Sequence, residues 1–123
     1  MENSDTKSLL IARQFLGKEV KVVVDCSMGS KHPKFGFVYE TNYGYVPDIK
    51  GPDGENLDVY YLGVNQPITK GIGMVIAIVH RLADDDDKLV VVPQGIELTS
   101  EDIEKQIAFQ EKWFDHEILR AKE

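Results

Sequence analysis

Residues 42–62 read NYGYVPDIKGPDGENLDVYYL, and the change of character inside this stretch decides the fold class. Tyr43 to Val46 is short, aromatic and β-branched, which suits a strand. Pro47, Gly51, Pro52 and Gly54 then punctuate the chain, so Pro47 to Asn56 is expected to be loop. Leu57 to Leu62 is a second strand. Two short strands joined by a Gly/Pro loop belong to a mainly β domain rather than to alternating β–α units.

The flanking sequence extends this pattern. Val20, Val22 and Val24 alternate with Lys21, Val23 and Asp25, giving a strand of period two. Cys26 to Gly36 is a loop rich in Gly, Ser, Lys and Pro, and Phe37 to Tyr39 is a further short strand. Ile72 to Leu82 is a longer strand with Ile72, Met74, Ile76 and Ile78 on one face. Asp84 to Asp87 forms a tight acidic turn, after which Lys88 to Val92 returns as a strand. Helices close both ends. Near the N-terminus Ser4, Asp5 or Thr6 caps an apolar face of Leu9, Leu10, Ile11, Phe15 and Leu16, and Gly17 stops it. Near the C-terminus Thr99 and Asp102 fit a capping box. They open a helix with a stripe of Ile103, Ile107, Phe114 and Ile118, flanked by Phe109 and Trp113; Trp113 and Phe114 are read as core. The sum is a small barrel or curled sheet with an N-terminal helix and a C-terminal packing helix, spanning residues 1–123 as one domain.

Composition narrows the function. With 42% hydrophobic and 28% charged residues the chain reads as soluble and globular. No apolar run approaches the roughly 20 residues that cross a bilayer, and the N-terminus lacks a signal-peptide pattern, so no membrane partner and a cytoplasmic location are expected. The lone Cys26 excludes an intrachain disulfide and a cysteine zinc cluster. A formal charge of −7 argues against nucleic acid as a partner. An anionic substrate stays compatible with it if a metal cation stands between substrate and carboxylates.

Two acidic clusters carry the candidate chemistry. In a straight strand Asp53 and Glu55 share a face and Asp58 points the other way; a turn at Gly54 to Asn56 would converge all three. Converging carboxylates repel unless a hard cation such as Mg²⁺ lies between them. Solvated acids on a surface turn have the same pattern. The second cluster, Asp84 to Asp87 followed by Lys88, sits between two apolar strands. It is either a solvated hairpin turn or a metal-binding turn, with the Lys88 ammonium in reach of a phosphoryl oxygen. His32, His80 and His116 have no metal-ligand spacing and are read as structural or surface. Lys31, His32 and Lys34 form a small basic patch that could face an anion.

Taken together, Asn42 to Val46, then Asp53 to Val59, then the acidic turn before Lys88-Leu89-Val90-Val91-Val92-Pro93, resemble the family I soluble inorganic pyrophosphatases over roughly Val20 to Phe114. The resemblance implies a small, closed OB-like barrel with flanking helices, a homo-oligomer, and Mg²⁺-dependent hydrolysis of a small phosphoanhydride, pyrophosphate, with Mn²⁺ as the other candidate metal. It implies that Asp53, Asp58, Asp84 and Asp86 hold metal, with Asp85 and Asp87 as the alternative register. It gives Glu55 the proton of the attacking water and sets Lys88 and Tyr43 against phosphate. The sequence departs from the family pattern in Asn56, which replaces the signature proline. Cys26 stands near the family's phosphate-binding arginine, for which Lys31 or Lys34 would substitute, and Phe114-Asp115 stands where the family has Tyr-Lys. Hydrolysis of another small phosphoanhydride, and a non-catalytic metal- or anion-binding module on the same fold, are the competing readings.

Overall fold

The computed structural model describes residues 7–51, 54–83 and 86–120. In chain order the elements are α1 (Lys7–Arg13), β1 (Glu19–Cys26), β2 (Asn42–Lys50), β3 (Asn56–Tyr61), β4 (Lys70–Arg81), β5 (Lys88–Val92), α2 (Ser100–Glu111) and β6 (His116–Arg120). The sheet runs β1-β2-β3-β5-β4-β6, and an extra β1–β4 pairing closes the first five strands into a barrel. Neighbours are antiparallel except β3 and β5, which run parallel. This is the expected mainly β barrel with an N-terminal helix and a C-terminal packing helix.

The long strand β4 makes the closure work. Its first half, Lys70 to Met74, pairs with β1; its second half, Ala77 to Arg81, pairs with β6. Alternation along the strands then separates two cores. Val20, Val22, Val24, Val46, Leu57, Val59, Tyr61, Val75, Ile78, Leu89 and Val91 fill the barrel interior, joined by Leu9 and Ala12 from α1. Tyr60, Leu62, Ala77, Val79, Val90 and Val92 face outward and are covered by Ile103, Ile107 and Phe109 of α2. The capping box at the start of α2 is formed: Asp102 N donates to Thr99 Oγ1 at 3.0 Å, and Thr99 N donates to Asp102 Oδ2 at 3.1 Å.

Four expectations need correction. First, β2 continues through Pro47 to Lys50 instead of ending at Val46. The ladder with β3 skips from Val46↔Leu57 to Lys50↔Asn56, so Pro47 falls in an irregular stretch where its missing N–H breaks no regular pairing. Second, Ile72, Met74, Ile76 and Ile78 do not share a face. The β4–β5 register shifts between Val75 and Ala77, so Val75 and Ile78 point into the barrel while Ile76 and Ala77 point out, and Ile72 is exposed. Third, α2 stops at Glu111, and Ile118 belongs to β6, which takes the edge of β4 that β1 leaves open. Trp113 and Phe114 are therefore not core; they are 59% and 38% exposed. Fourth, Phe37 to Tyr39 is not a strand but carries one isolated bridge, Lys31↔Val38.

Candidate active site

The outer face of the barrel that α2 leaves uncovered builds the site. The parallel register Val59↔Leu89 sets Asp58 beside Lys88 on adjacent strands, and because Val59 and Leu89 point inward, their neighbours point out. Lys88 Nζ lies 3.2 Å from Asp58 Oδ2 and 3.3 Å from Asp86 Oδ1. On the other side of β3, the registers Tyr43↔Tyr60 and Tyr45↔Asp58 bring Tyr43 to the same face. Its hydroxyl is hydrogen-bonded to Asp58, and burial together with the Asp58 charge pushes its pKa well up, so it stays a neutral phenol. The Lys88 ammonium also sits 5.6 Å from the centre of the Tyr43 ring.

Arg81 reaches this face because of the bulge in β4. Val75 faces the interior, and strict alternation would send Ala77, Val79 and Arg81 there too. The one extra residue reverses the parity beyond Val75. The guanidinium then donates to Glu111 through Nε at 3.0 Å and Nη2 at 2.8 Å, and to Asp86 Oδ2 through Nη1 at 3.3 Å. Glu111 is fully buried and also accepts from the Tyr60 hydroxyl at 2.6 Å, while Gln110 Nε2 donates to that hydroxyl at 2.6 Å. Burial alone would raise the Glu111 carboxyl; the bonds from Arg81 and Tyr60 outweigh it and hold the pKa below the usual range. The Arg81 guanidinium is likewise held above its ordinary value, since its bonds to Glu111 outweigh the opposing effect of burial.

These groups form one end of a cavity of about 740 Å³. Asp58, Arg81, Asp86 and Lys88 line the polar end; Tyr39 and Tyr43 line its side; His32, Phe35, Gly36, Phe37, Gln110, Trp113 and Phe114 form the rest of the wall.

Of the expected site residues, the structure brings Asp58, Asp86, Lys88 and Tyr43 together. Asp53 and Asp84 lie outside the described residues, as does Asp85. Asp87 is buried and engaged elsewhere, within 3.0 Å of His80 Nδ1 and accepting from Arg81 N at 3.1 Å. In the acidic turn it is therefore Asp86, and not Asp87, that faces the cavity. Glu55 is exposed and is not part of the cavity wall. Lys31 is exposed and also outside the wall. The loop after β1 does fold over the cavity, but it contributes His32, Phe35 and Phe37 instead of its lysines. His32 Nδ1 accepts from Lys34 N and Phe35 N, both at 3.0 Å, and so shapes that loop. Cys26 is half-buried and lies outside the wall.

Arg81, Glu111 and Tyr60 are the residues that sequence reasoning missed. Glu111 had a readable signal: it falls four residues after Ile107 and eight after Ile103, a charge on the apolar stripe of the helix. Such a charge demands a buried partner.

The donor set suits a hard divalent cation. Two carboxylates already converge on one cationic nitrogen, and hard cations take carboxylate oxygens. Among the described residues no group of three or more His, Cys, Asp or Glu is gathered as a metal site. Asp58 and Asp86, both paired with Lys88, are the described carboxylates of the cavity that could hold one.

Comparison with known proteins agrees with this architecture. No family model matches the sequence. An inorganic pyrophosphatase of Haemophilus influenzae is 37% identical over 62 residues, covering 46% of this chain and 35% of that protein. One of Neisseria meningitidis serogroup A is 39% identical over 62 residues, covering 46% and 34%. The matched stretch spans about a third of the length of these relatives. Among solved structures, the inorganic pyrophosphatase of Ehrlichia chaffeensis superimposes with a TM-score of 0.64 at 17% identity, covering 83% of this chain and 85% of that one. That of Helicobacter pylori gives 0.65 at 16% identity, covering 83% and 84%. The chain has the fold of the soluble inorganic pyrophosphatases, and 46% of its length resembles them in sequence.

Proposed function

We propose that the protein hydrolyses inorganic pyrophosphate to two phosphates in a Mg²⁺-dependent reaction. The observation that carries this reading is the meeting of Asp58, Asp86, Lys88 and Arg81 at one end of a cavity. Carboxylates hold the cation there, and the two fixed cations receive phosphoryl oxygens.

A divalent ion, when bound, offsets substrate charge and makes an adjacent water more acidic. Asp58 and Asp86 would hold it, and on the sequence resemblance Asp53 and Asp84 would join them; Mn²⁺ is the other metal such an oxygen set would accept. Lys88 and Arg81 stabilise the charge that grows on the phosphate oxygens as the anhydride bond breaks. Arg81 does so from a fixed position, because Glu111 fixes two of its nitrogens. Tyr43, held neutral, offers its hydroxyl as a hydrogen-bond donor. Glu55 remains assigned to the water proton on the sequence resemblance alone, since its place on the turn does not bring it to the cavity wall. The reading includes a cytoplasmic, self-associating protein; among the described residues no helix is long and apolar enough to cross a membrane.

Phosphate release from pyrophosphate, with and without Mg²⁺, tests the proposal beside two variants. Wild-type protein is expected to release phosphate only with Mg²⁺. Asp58→Asn is expected to abolish that release while leaving the far-UV spectrum native; turnover by Asp58→Asn removes Asp58 from the metal site. Glu55→Gln is expected to slow the chemical step and spare metal affinity. Full activity in this variant moves the proton acceptor to another carboxylate.

A further inference from the structure

The cavity is larger and more aromatic than inorganic pyrophosphate requires. Its volume of about 740 Å³ falls within the range of pockets that take drug-sized ligands, roughly 300–1,000 Å³. Pyrophosphate is far smaller and has no apolar surface to place against rings. Here the wall beyond the charged end is a relay of rings. The His32 ring centre lies 4.9 Å from that of Phe35 and 4.8 Å from that of Phe37, and Phe37 lies 5.8 Å from Trp113. Phe35 and Trp113 are 71% and 59% exposed, a poor use of aromatic surface unless something covers it. Phe114 joins the two ends, because the Arg81 guanidinium stacks 3.8 Å from its ring centre.

We infer that this site takes a phosphoanhydride joined to a planar aromatic group, that is, a nucleoside di- or triphosphate. Its base stacks on the Phe35–Trp113 wall and its phosphates reach Lys88 and Arg81. The inference rests on the reading of the charged end as a phosphate site and adds the ligand class. Stacking tolerates any base, since every base has a π face; of the polar side chains on this wall, Gln110 donates to the Tyr60 hydroxyl and His32 Nδ1 accepts from its own loop.

The test uses ADP, inorganic pyrophosphate and adenosine, each titrated into the intact protein with Mg²⁺ and followed by calorimetry and by the emission of Trp113, the single tryptophan. ADP is expected to bind at least about tenfold more tightly than pyrophosphate and to quench Trp113, which pyrophosphate leaves unchanged; stacking contributions of this order are usual. Phe35→Ala, at an exposed position, is expected to lower ADP affinity about fivefold or more and to leave pyrophosphate affinity within about twofold of wild type. Equal affinity for ADP and pyrophosphate, absence of quenching, or an unaffected Phe35→Ala variant overturns the inference. Phosphate release from pyrophosphate in the same preparation separates the two readings. Release without ADP preference removes only the nucleotide inference. ADP binding with quenching but no release from pyrophosphate leaves the inference standing and removes the pyrophosphatase reading.

Discussion

Truncating Glu111 to alanine is the most informative perturbation of this architecture. The carboxylate is fully buried, holds Arg81 through two hydrogen bonds of 3.0 and 2.8 Å, and accepts from Tyr60 at 2.6 Å. Removing one partner of a buried ion pair costs about 3–5 kcal/mol, because the other charge stays behind. Asp86, 3.3 Å from Arg81 Nη1, retains part of the compensation, which places the ion-pair loss at the low end. The Tyr60 hydroxyl then loses its acceptor, which costs about 1 kcal/mol or more. The sum is about 4 kcal/mol, equivalent to a fall in midpoint temperature of about 15 °C for a chain of this size. Urea unfolding followed by circular dichroism measures it, with an unchanged denaturant slope showing that the transition stays two-state. The combination Arg81→Met, Glu111→Leu and Tyr60→Phe replaces the three central polar members at once, leaving Gln110 and the half-exposed Asp86 at its margin, and is expected to recover stability to within about 1 kcal/mol of wild type, while losing phosphate release because Arg81 is gone. A cost below about 1 kcal/mol for Glu111→Ala, or a triple variant no more stable than the single one, would refute the reasoning that Glu111 is there to hold Arg81.

Three further outcomes follow from named contacts. Lys88→Met removes the ammonium shared by Asp58 and Asp86 and is expected to reduce phosphate release about 100-fold or more; a loss under about threefold would show that Lys88 does not meet the reacting phosphate. Gly44→Ala is expected to destabilise by more than about 4 kcal/mol, since a Cβ there would collide with the Val23 carbonyl across the β1–β2 pair; a well-folded Gly44→Ala variant in thermal melts would contradict that close approach. His116 sets Nδ1 2.8 Å from the Phe114 carbonyl and Nε2 2.8 Å from Glu104, and only the imidazolium donates to both. Burial opposes the charge, but these two acceptors prevail and raise the pKa. The stabilisation is therefore full below the unfolded value of about 6.5 and fades as pH rises through the higher folded one. His116→Gln should lag wild type by more at about pH 5.5 than at about pH 9, and an equal gap at both would sink this assignment.

The barrel strands were legible because burial on one face leaves a period-two trace, as in Val20, Val22 and Val24, or a fully apolar run, as in Leu89 to Val92. The same apolar monotony hides the bulge. Every residue from Met74 to Val79 suits either face, so nothing marks Ile76 as the extra one, and the face of Arg81 depends on that count. The end of α2 was misread for a related reason. Phe114 and Ile118 continue a helical spacing by chance, whereas the free edge of β4 provides a partner that only the assembled sheet reveals.

The candidate site divides along the same line. Asp58, Asp86 and Lys88 come from segments whose sequence pattern is distinctive, and the β3–β5 register joins them. The phosphate-facing cations looked depleted from sequence because they were sought near Cys26, at the position the resemblance indicated, and Lys31 and Lys34 stand outside the cavity. The structure places a guanidinium in the cavity from a different strand, through a bulge and a buried glutamate that forgo hydrophobic packing to position it. A carboxylate fully buried on the apolar face of a helix is costly wherever it has no task. Its presence beside Arg81, together with the exposed rings around the same cavity, is the ground on which the proposed phosphate site and its extended ligand stand.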